Sequence, residues 1–307
     1  MLRKVRQQAS RLIEKINHPV LCQNVDKLNI QPALISYHRD FLGRKTIFDG
    51  FNATYRCNDL LSPDKLNIHS HNADSLIRQQ LLCKAGTVRC AILLSTVEAI
   101  AESKSAIHQY ESLYAFGKES VANHLMLARE KRWRAYFDQV LKEALQEGKR
   151  SFYINTWAPV LRWENYGGSH RFAAAYYVGK EQGFDESIDA TLNIYQPNYA
   201  FISQLLERFD CYILRISDEK DYLLLFDCID KVDDRRLSTI MRVHAIHVDE
   251  QKTVALLLLL HRKAALLSAL QAWIQRQLQA RRIIELGQWA SKVRAQEGAI
   301  KRQYRLA

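Results

Sequence analysis

Two adjacent glycines, Gly167 and Gly168, stand where the sequence changes from strand-like to helix-like residues. The preceding segments 151–157 and 160–163 are rich in aromatic and β-branched residues, which predicts two strands. From Phe172 the chain continues with alanines and other good helix formers, so a helix is expected there. Glycine adopts the left-handed backbone of a tight turn far more readily than other residues. The sequence therefore predicts strands, a glycine turn and a helix in direct succession.

The turn has the residue types of an anion site. Gly167 and Gly168 would let the backbone approach a phosphate, and the amides of the new helix would point toward it. His170 and Arg171 could add side-chain donors, since a guanidinium can hold two phosphate oxygens at once. A glycine pair before a helix is also common in ordinary turns, so these residues alone leave both interpretations open.

The stretch Gly167-Gly168-Ser169-His170-Arg171, followed by Phe172 and three alanines, resembles the signature turn of the ParB/sulfiredoxin superfamily. The resemblance covers about residues 150–217. In that superfamily the turn holds nucleotide phosphates, and members include a sulfinic acid reductase, CTP-hydrolysing partition proteins, nuclease-like domains and a free amino acid kinase. The resemblance implies a nucleotide-binding core that takes ATP, ADP or CTP with Mg²⁺. Its implied ligand contacts are Gly167, Gly168, Ser169, His170 and Arg171.

Ser169 departs from the sulfiredoxin branch, which has a cysteine at this position. A hydroxyl without a neighbouring base is a much poorer nucleophile than a thiolate. Sulfinic acid reduction is therefore not expected. The other branches do not need the thiol, so nucleotide binding remains the expectation, with nucleotide hydrolysis or phosphoryl transfer as possible reactions.

Glu164 and Tyr166, which both precede the glycines, complete the candidate site. Phosphoryl transfer usually needs a carboxylate that orients a nucleophile or magnesium, and Glu164 lies three residues before Gly167. It could equally be a solvent-facing residue at a strand end. Together with His170 and Arg171, it is a catalytic candidate. Tyr166 is the candidate for stacking on a base, because it adjoins the glycines.

The formal net charge of +11 is concentrated at the ends of the chain. Residues 251–307 contain eleven basic and two acidic residues. This imbalance favours contact between a basic C-terminal helix and DNA or RNA, although an ordinary solvated helix face has the same composition. The sequence therefore supports two further hypotheses, a nucleic-acid-associated nucleotide switch and a non-catalytic interaction protein.

Cysteine usage and hydropathy indicate a cytoplasmic protein with no membrane partner. The six cysteines form no paired framework and no C-x-x-C motif, which is typical of a reducing compartment. The first residues do not read as a signal peptide, because basic residues interrupt the apolar ones. The longest apolar run, 254–260, is far shorter than the roughly 20 residues of a membrane span. No metal site is expected, since His244 and His247 would face opposite sides of a strand.

The overall pattern predicts an α+β protein of three parts. Residues 1–149 are expected to be a mainly helical region of unknown role, and 150–250 a small ParB/sulfiredoxin-like core. Residues 251–307 are expected to be a long basic helical extension, which could also join two chains as a homodimer. The helices expected in the first part span 1–17, 73–83, 87–102 and 120–146.

Within the core, the motif helix should end near Gly179 or Gly183, and an irregular stretch is expected at 193–198. A helix is predicted at 199–208. Three strands should follow, at 211–216, 222–228 and 239–247. From 250 to 286 no glycine or proline occurs and leucines form a broad stripe, which predicts one continuous helix.

Overall fold

The computed structural model confirms a mixed α+β protein. It describes residues 30–31, 55–56, 77, 80–101, 103, 107–122, 132–146, 150–216, 220–221, 223–225, 239–248, 251–262 and 268–303. These residues fall into two compact units. We name them the turn unit, mainly residues 83–196, and the leucine-strand unit, mainly residues 197–295.

The elements are numbered in chain order. The strands are β1 (Ile30–Gln31), β2 (Tyr55–Arg56), β3 (Leu82–Leu93), β4 (Ala99–Ile100), β5 (Ser151–Asn155), β6 (Ala158–Trp163), β7 (Ser187–Pro197), β8 (Phe209–Ile216), β9 (Thr239–Val248), β10 (Gln251–His261) and β11 (Ile283–Glu285). The α-helices are α1 (Leu113–Ala122), α2 (Trp133–Ala144), α3 (Ser169–Gln182), α4 (Tyr199–Arg208), α5 (Ser268–Gln279) and α6 (Leu286–Gln303).

In the turn unit, five strands lie in the order β3-β7-β5-β6-β4. The β5–β6 pair is an antiparallel hairpin, whereas β7 runs parallel to β5 and β4 runs parallel to β6. The chain therefore passes from the hairpin through the glycine turn into α3, and then returns as a parallel strand. This order confirms the two strands, the turn and the motif helix that the sequence predicts, and it shows that the two strands form a hairpin.

One face of this sheet packs against the helices. Phe152 and Ile154 of β5, together with Leu192 of β7, belong to the same buried cluster as α3 residues. The ring of Trp163 stacks on that of Phe172 in α3, with centroids 4.4 Å apart and planes 14° from parallel. Because side chains alternate along a strand, the neighbours of these core residues point to the other face of the sheet.

Small residues let α3 lie deep in the turn unit. Ala173, Ala174 and Ala175 are each fully buried. Where α1 crosses α3, a Cβ atom on Gly117 would come within 2.1 Å of the Ala173 carbonyl oxygen and 2.7 Å of the Tyr177 Cβ atom. Gly117 therefore allows the two helix backbones to touch.

The leucine-strand unit is built on antiparallel pairing. Its sheet has the order β1-β8-β10-β9, and β11 also pairs with β8. Residues Leu256–Leu260 of β10 are all at most 1% exposed, so this strand is buried on both faces. Trp273 and Ile274 of α5 pack into the same cluster as Leu256, Leu258 and Leu260.

The continuous helix predicted over 250–286 is wrong. Strand β10 occupies 251–261, and the basic C-terminal helix α6 begins only at Leu286. A strand buried on both faces shows an unbroken apolar run, which periodicity alone cannot distinguish from a buried helix. The helical extension 251–307 is therefore a strand, two helices and a short strand in its described part.

The mainly helical character predicted for 1–149 is also wrong in part. The predicted helix 87–102 is replaced by β3 and β4, and 73–83 is helical at 77 and 80–81 before β3 begins at Leu82. In β3 every second residue from 85 to 93 is exposed, the pattern of a strand at a sheet surface. Of the predicted helix 120–146, the described part contains the end of α1 and all of α2. The predicted helix 1–17 lies outside the described residues.

Among the elements predicted from residue 193 onward, some are wrong and others are confirmed. Residues 193–197 are regular strand at the end of β7, not an irregular stretch, and 223–225 are helical, not strand. The helix predicted at 199–208 is confirmed, as are the strands predicted at 211–216 and 239–247. No helix among the described residues is long and apolar enough to cross a membrane.

The close crossing of α1 and α3 gives a stability prediction. Gly117→Ala should lower the free energy of unfolding by about 2 kcal/mol, because the backbone oxygen of Ala173 can only be relieved by separating the helices. This cost exceeds the gain in helix propensity, at most about 1 kcal/mol, from replacing glycine with alanine. Urea unfolding followed by circular dichroism measures the difference.

Gly86→Ala in β3 is the matched control, since a Cβ atom there would meet nothing within 4 Å. It should be neutral or slightly stabilising. Equal stability of the Gly117→Ala variant and the unchanged protein would contradict the proposed packing of α1 on α3.

Candidate functional site

The turn before α3 uses glycine for a backbone reason. Gly167 has φ of 101° and Gly168, the residue that caps α3, has φ of 112°. Residues with a side chain rarely adopt this conformation. The Gly167 amide donates a hydrogen bond to Asn165 Oδ1 at 2.9 Å, so the turn is closed by the residue two positions earlier. The glycine pair is therefore required by the shape of the turn.

The start of α3 presents backbone donors without a side-chain cap. The Phe172 amide donates to the Gly168 carbonyl at 3.0 Å, which is the first hydrogen bond of the helix. The amides of Ser169, His170 and Arg171 precede that bond, so the helix offers them no carbonyl. The N-cap residue, Gly168, has no side chain with which to cap this end of α3. Such amides, together with the positive end of the helix dipole, suit an anion.

His170 is exposed and oriented by α1. Its Nδ1 lies 3.0 Å from Ser120 Oγ, and that hydroxyl donates its proton to the Phe116 carbonyl at 2.8 Å. Because a serine has one proton to donate, His170 Nδ1 must be the donor in this contact. The imidazole also packs on the Phe116 ring at 4.8 Å. Neutral His170 therefore carries its proton on Nδ1 and its acceptor lone pair on Nε2.

Arg171 forms an ion pair at the surface of the turn unit. Its Nε lies 2.9 Å from Glu143 Oε2 of α2, and the two side chains are 53% and 38% exposed. An ion pair this accessible contributes little stability and exchanges partners readily. His170 thus bonds to α1 while Arg171 bonds to α2, so the two basic side chains diverge around the start of α3.

Ser169 is buried beside a second hydroxyl. It is 7% exposed, and its Oγ lies 2.8 Å from Ser103 Oγ. The Ser103 hydroxyl is not a base that could activate Ser169 as a nucleophile. The hydroxyl pair can rearrange its protons to suit an acceptor, which fits a polar lining better than covalent chemistry.

Glu164 is held by three neutral donors. Ser151 Oγ and Tyr166 Oη donate to its Oε2, the latter at 2.9 Å, and Asn193 Nδ2 donates to its Oε1 at 3.1 Å. Thr87 Oγ1 in turn donates to Asn193 Oδ1 at 3.2 Å. We call these five residues the Glu164 cluster. Its hydrogen bonds fix the carboxylate between three strands of the sheet.

The Glu164 cluster lies on the sheet face opposite α3. Ser151 and Asn193 alternate with the core residues Phe152 and Leu192, so their side chains point away from the helices. The structure therefore separates the Glu164 carboxylate from His170 and Arg171. Sequence reasoning missed Ser151 and Asn193, although polar residues that alternate with core positions in two neighbouring strands were the available signal.

Tyr166 joins the turn to the Glu164 cluster. Its side chain is the most exposed of the large apolar and aromatic residues described, at 59%. The hydrogen bond to Glu164 raises the pKa of Tyr166 above its usual value, with smaller contributions from burial and from the carboxylate charge. The hydroxyl is anchored while the ring remains open to solvent, which suits stacking.

Within the described part of the chain, no group of three or more His, Cys, Asp or Glu side chains could hold a metal ion. Three further residues of metal-ligand type in the sequence, His69, His71 and Asp249, lie outside this part. The strand that carries His244 and His247 is β9. The two described buried cysteines, Cys83 and Cys211, are thiols that are not joined in a disulfide.

The Glu164 cluster generates a test by titration. Glu164→Gln should lower the pKa of Tyr166 toward its ordinary value, because the largest cause of the upward shift is the hydrogen bond to the carboxylate. The glutamine NH₂ would also face other donors, which should cost about 1–3 kcal/mol of unfolding free energy. NMR titration of ring-labelled tyrosine measures the first effect, and urea unfolding the second.

Tyr166→Phe assigns the Tyr166 signal in that titration and removes only one donor from the carboxylate. It should destabilise less than Glu164→Gln does. An unchanged Tyr166 pKa in the Glu164→Gln variant would show that the cluster does not form as described.

Comparison with known proteins assigns the chain to one family. Residues 87–300 match the family of unknown function DUF6685. Because the match covers more than half of the chain, the protein belongs to this family. No curated protein and no solved structure matches the chain. The matched range runs from β3 into α6, so it includes the glycine turn and the Glu164 cluster.

Proposed function

We propose that this protein binds a phosphate-bearing ligand, in the first instance a nucleotide, at the turn Gly167–Arg171. The observation that carries the proposal is the start of α3, which is entered through two glycines in the left-handed conformation and has a glycine as its N-cap. The first amides of a helix have no carbonyl partner within the helix and lie at the positive end of its dipole, a position that suits an oxyanion.

The side chains around the turn support a phosphate in particular. Among the described residues, Arg171 pairs with the partly exposed carboxylate of Glu143, so its guanidinium can transfer from Glu143 to a phosphate at small cost. His170 adds an exposed imidazole at the start of α3. Ser103 and Ser169 add hydroxyls that can donate or accept.

The order of elements supports a ParB/sulfiredoxin-like unit. An antiparallel hairpin, the glycine turn, a helix rich in buried alanines and a parallel return strand follow one another between β5 and β7. Tyr166 stands beside this turn with an exposed ring and an anchored hydroxyl. It would provide a stacking surface for the base of ATP, ADP or CTP.

The proposal is one of binding, with or without Mg²⁺, and assigns no reaction. Glu164 is occupied by three donors on the other sheet face, so we do not propose it as a catalytic residue. Ser169 has a hydroxyl neighbour in place of a base. Hydrolysis or phosphoryl transfer would need a carboxylate from elsewhere in the chain.

The glycine cap provides the first test. Gly168→Ala should weaken nucleotide binding by about tenfold or more, because an alanine at φ of 112° shifts the turn and the amides it presents. Isothermal titration with ATP, ADP, CTP and inorganic phosphate, each with and without Mg²⁺, measures the affinities.

Gly183→Ala is the matched control, because Gly183 caps the other end of α3 with φ of 70°. It also places an alanine at a positive φ, but at the end of α3 away from the proposed site, and should leave the affinity unchanged. If the unchanged protein binds none of these ligands, or both variants lose the same affinity, the proposed site is wrong.

The ion pair between Arg171 and Glu143 provides a second test, because substitutions of its two members should change the phosphate affinity in opposite directions. Arg171→Gln should weaken phosphate binding by about tenfold, the loss of one charge-assisted hydrogen bond. Glu143→Gln should tighten binding, because it releases the guanidinium and removes a negative charge from the site. The same titrations, repeated at high salt, measure both effects. Weaker binding in the Glu143→Gln variant would contradict a phosphate on Arg171.

A further inference from the structure

The turn between α5 and β11 contains an arginine where the backbone favours glycine. The Arg282 amide donates to the Gln277 carbonyl at 2.9 Å, and the Arg281 amide donates to that of Leu278 at 3.0 Å. This pair of hydrogen bonds is the Schellman motif that ends many helices, and Arg281 occupies its left-handed position. Its φ of 56° is the only positive value among the described residues other than glycine.

Among the described residues, no interaction of the Arg281 side chain offsets the cost of its left-handed backbone. Arg281 and Arg282 are both exposed, and no ion pair or side-chain hydrogen bond holds either of them among the described residues. Glycine would form the same two backbone hydrogen bonds without crowding its Cβ atom. The favourable interaction of a cation with the helix dipole is already made by Arg276 in the last turn of α5.

Several exposed arginines of the described chain form ion pairs with carboxylates. Arg89 pairs with Asp189, Arg134 with Asp138, and Arg262 with Asp210. In the segment from α5 to α6, the carboxylates are Glu285, which accepts from Gln288, and the buried Glu297. The corner formed by Arg281 and Arg282, which we name the arginine corner, therefore carries guanidinium groups on two consecutive exposed residues, neither paired with a carboxylate among the described residues.

We propose that the arginine corner binds the phosphate backbone of a nucleic acid. Guanidinium groups on two consecutive exposed residues can contact backbone phosphates, and each can bind two oxygens at once. A membrane surface fits less well, because the exposed large apolar side chains of the described chain are Leu93, Tyr114, Tyr166 and Leu223, none of them between α5 and α6. This surface is independent of the glycine turn.

The test measures binding of the full-length protein to duplex DNA and to single-stranded RNA over a salt series. The double variant Arg281→Gly/Arg282→Gln should bind more weakly. The slope of log affinity against log salt should fall by about one for each arginine on duplex DNA. Binding to either nucleic acid with this loss supports the proposal, and the two arms identify which one is preferred.

The single variant Arg281→Gly separates binding from folding. It should keep or raise the melting temperature, since it relieves the left-handed strain, while it lowers the salt slope by about one. Arg282→Gln, which leaves the backbone of the motif untouched, should lower the slope by the same amount. A reduced melting temperature for Arg281→Gly would overturn the argument that the side chain serves no purpose in the fold.

Arg134→Gln is the charge-matched control, since it removes the same charge from a paired, exposed arginine. It should leave the salt slope unchanged. An equal loss in this control would mean that only net charge matters, which overturns the proposal. The same holds if the unchanged protein binds neither nucleic acid, or binds only vesicles of anionic lipid.

Discussion

The turn unit depends on how closely α3 can lie against its neighbours. Gly117 lets the backbone of α1 touch that of α3, and a run of three alanines lets α3 settle fully into the core. Phe172 then stacks on Trp163 in the sheet. Dense packing of this kind tolerates little displacement, so the position of the first turn of α3 is set by contacts along the whole helix. The glycine turn is consequently presented on a rigid base.

That rigidity explains the arrangement of the candidate site. Because α3 lies between α1 and α2, its first exposed side chains diverge, with His170 bonded to Ser120 and Arg171 to Glu143. The backbone amides at the start of α3, in contrast to these two side chains, point in a common direction. A ligand that engages all of these groups must be multiply charged and must replace Glu143 at Arg171, which a phosphate group can do. The Glu164 cluster, on the other sheet face, stabilises the strands from which the turn departs.

Local sequence signals predicted the segments in which local structure dominates. The two strands before Gly167, helix α3 with an end near Gly179 or Gly183, and helix α4 all follow from turn residues, caps and short-range periodicity. The failures are strands whose burial depends on distant partners. Strand β10 is apolar on both faces because β8 and β9 flank it and α5 covers it, and β3 is rich in residues that favour a helix in isolation.

The sequence by itself determined that the chain needs a left-handed turn at Gly167 and Gly168, that a helix follows, and that positive charge accumulates toward the C-terminal end. These are properties of single residues and their neighbours. Only the tertiary structure decided that Glu164 points away from the turn, that Glu143 is the partner of Arg171, and that Arg281 holds a glycine-like backbone conformation with no ion pair in the described part of the chain. The physical reason is that the face of a strand and the partner of a charge depend on residues far away in the sequence.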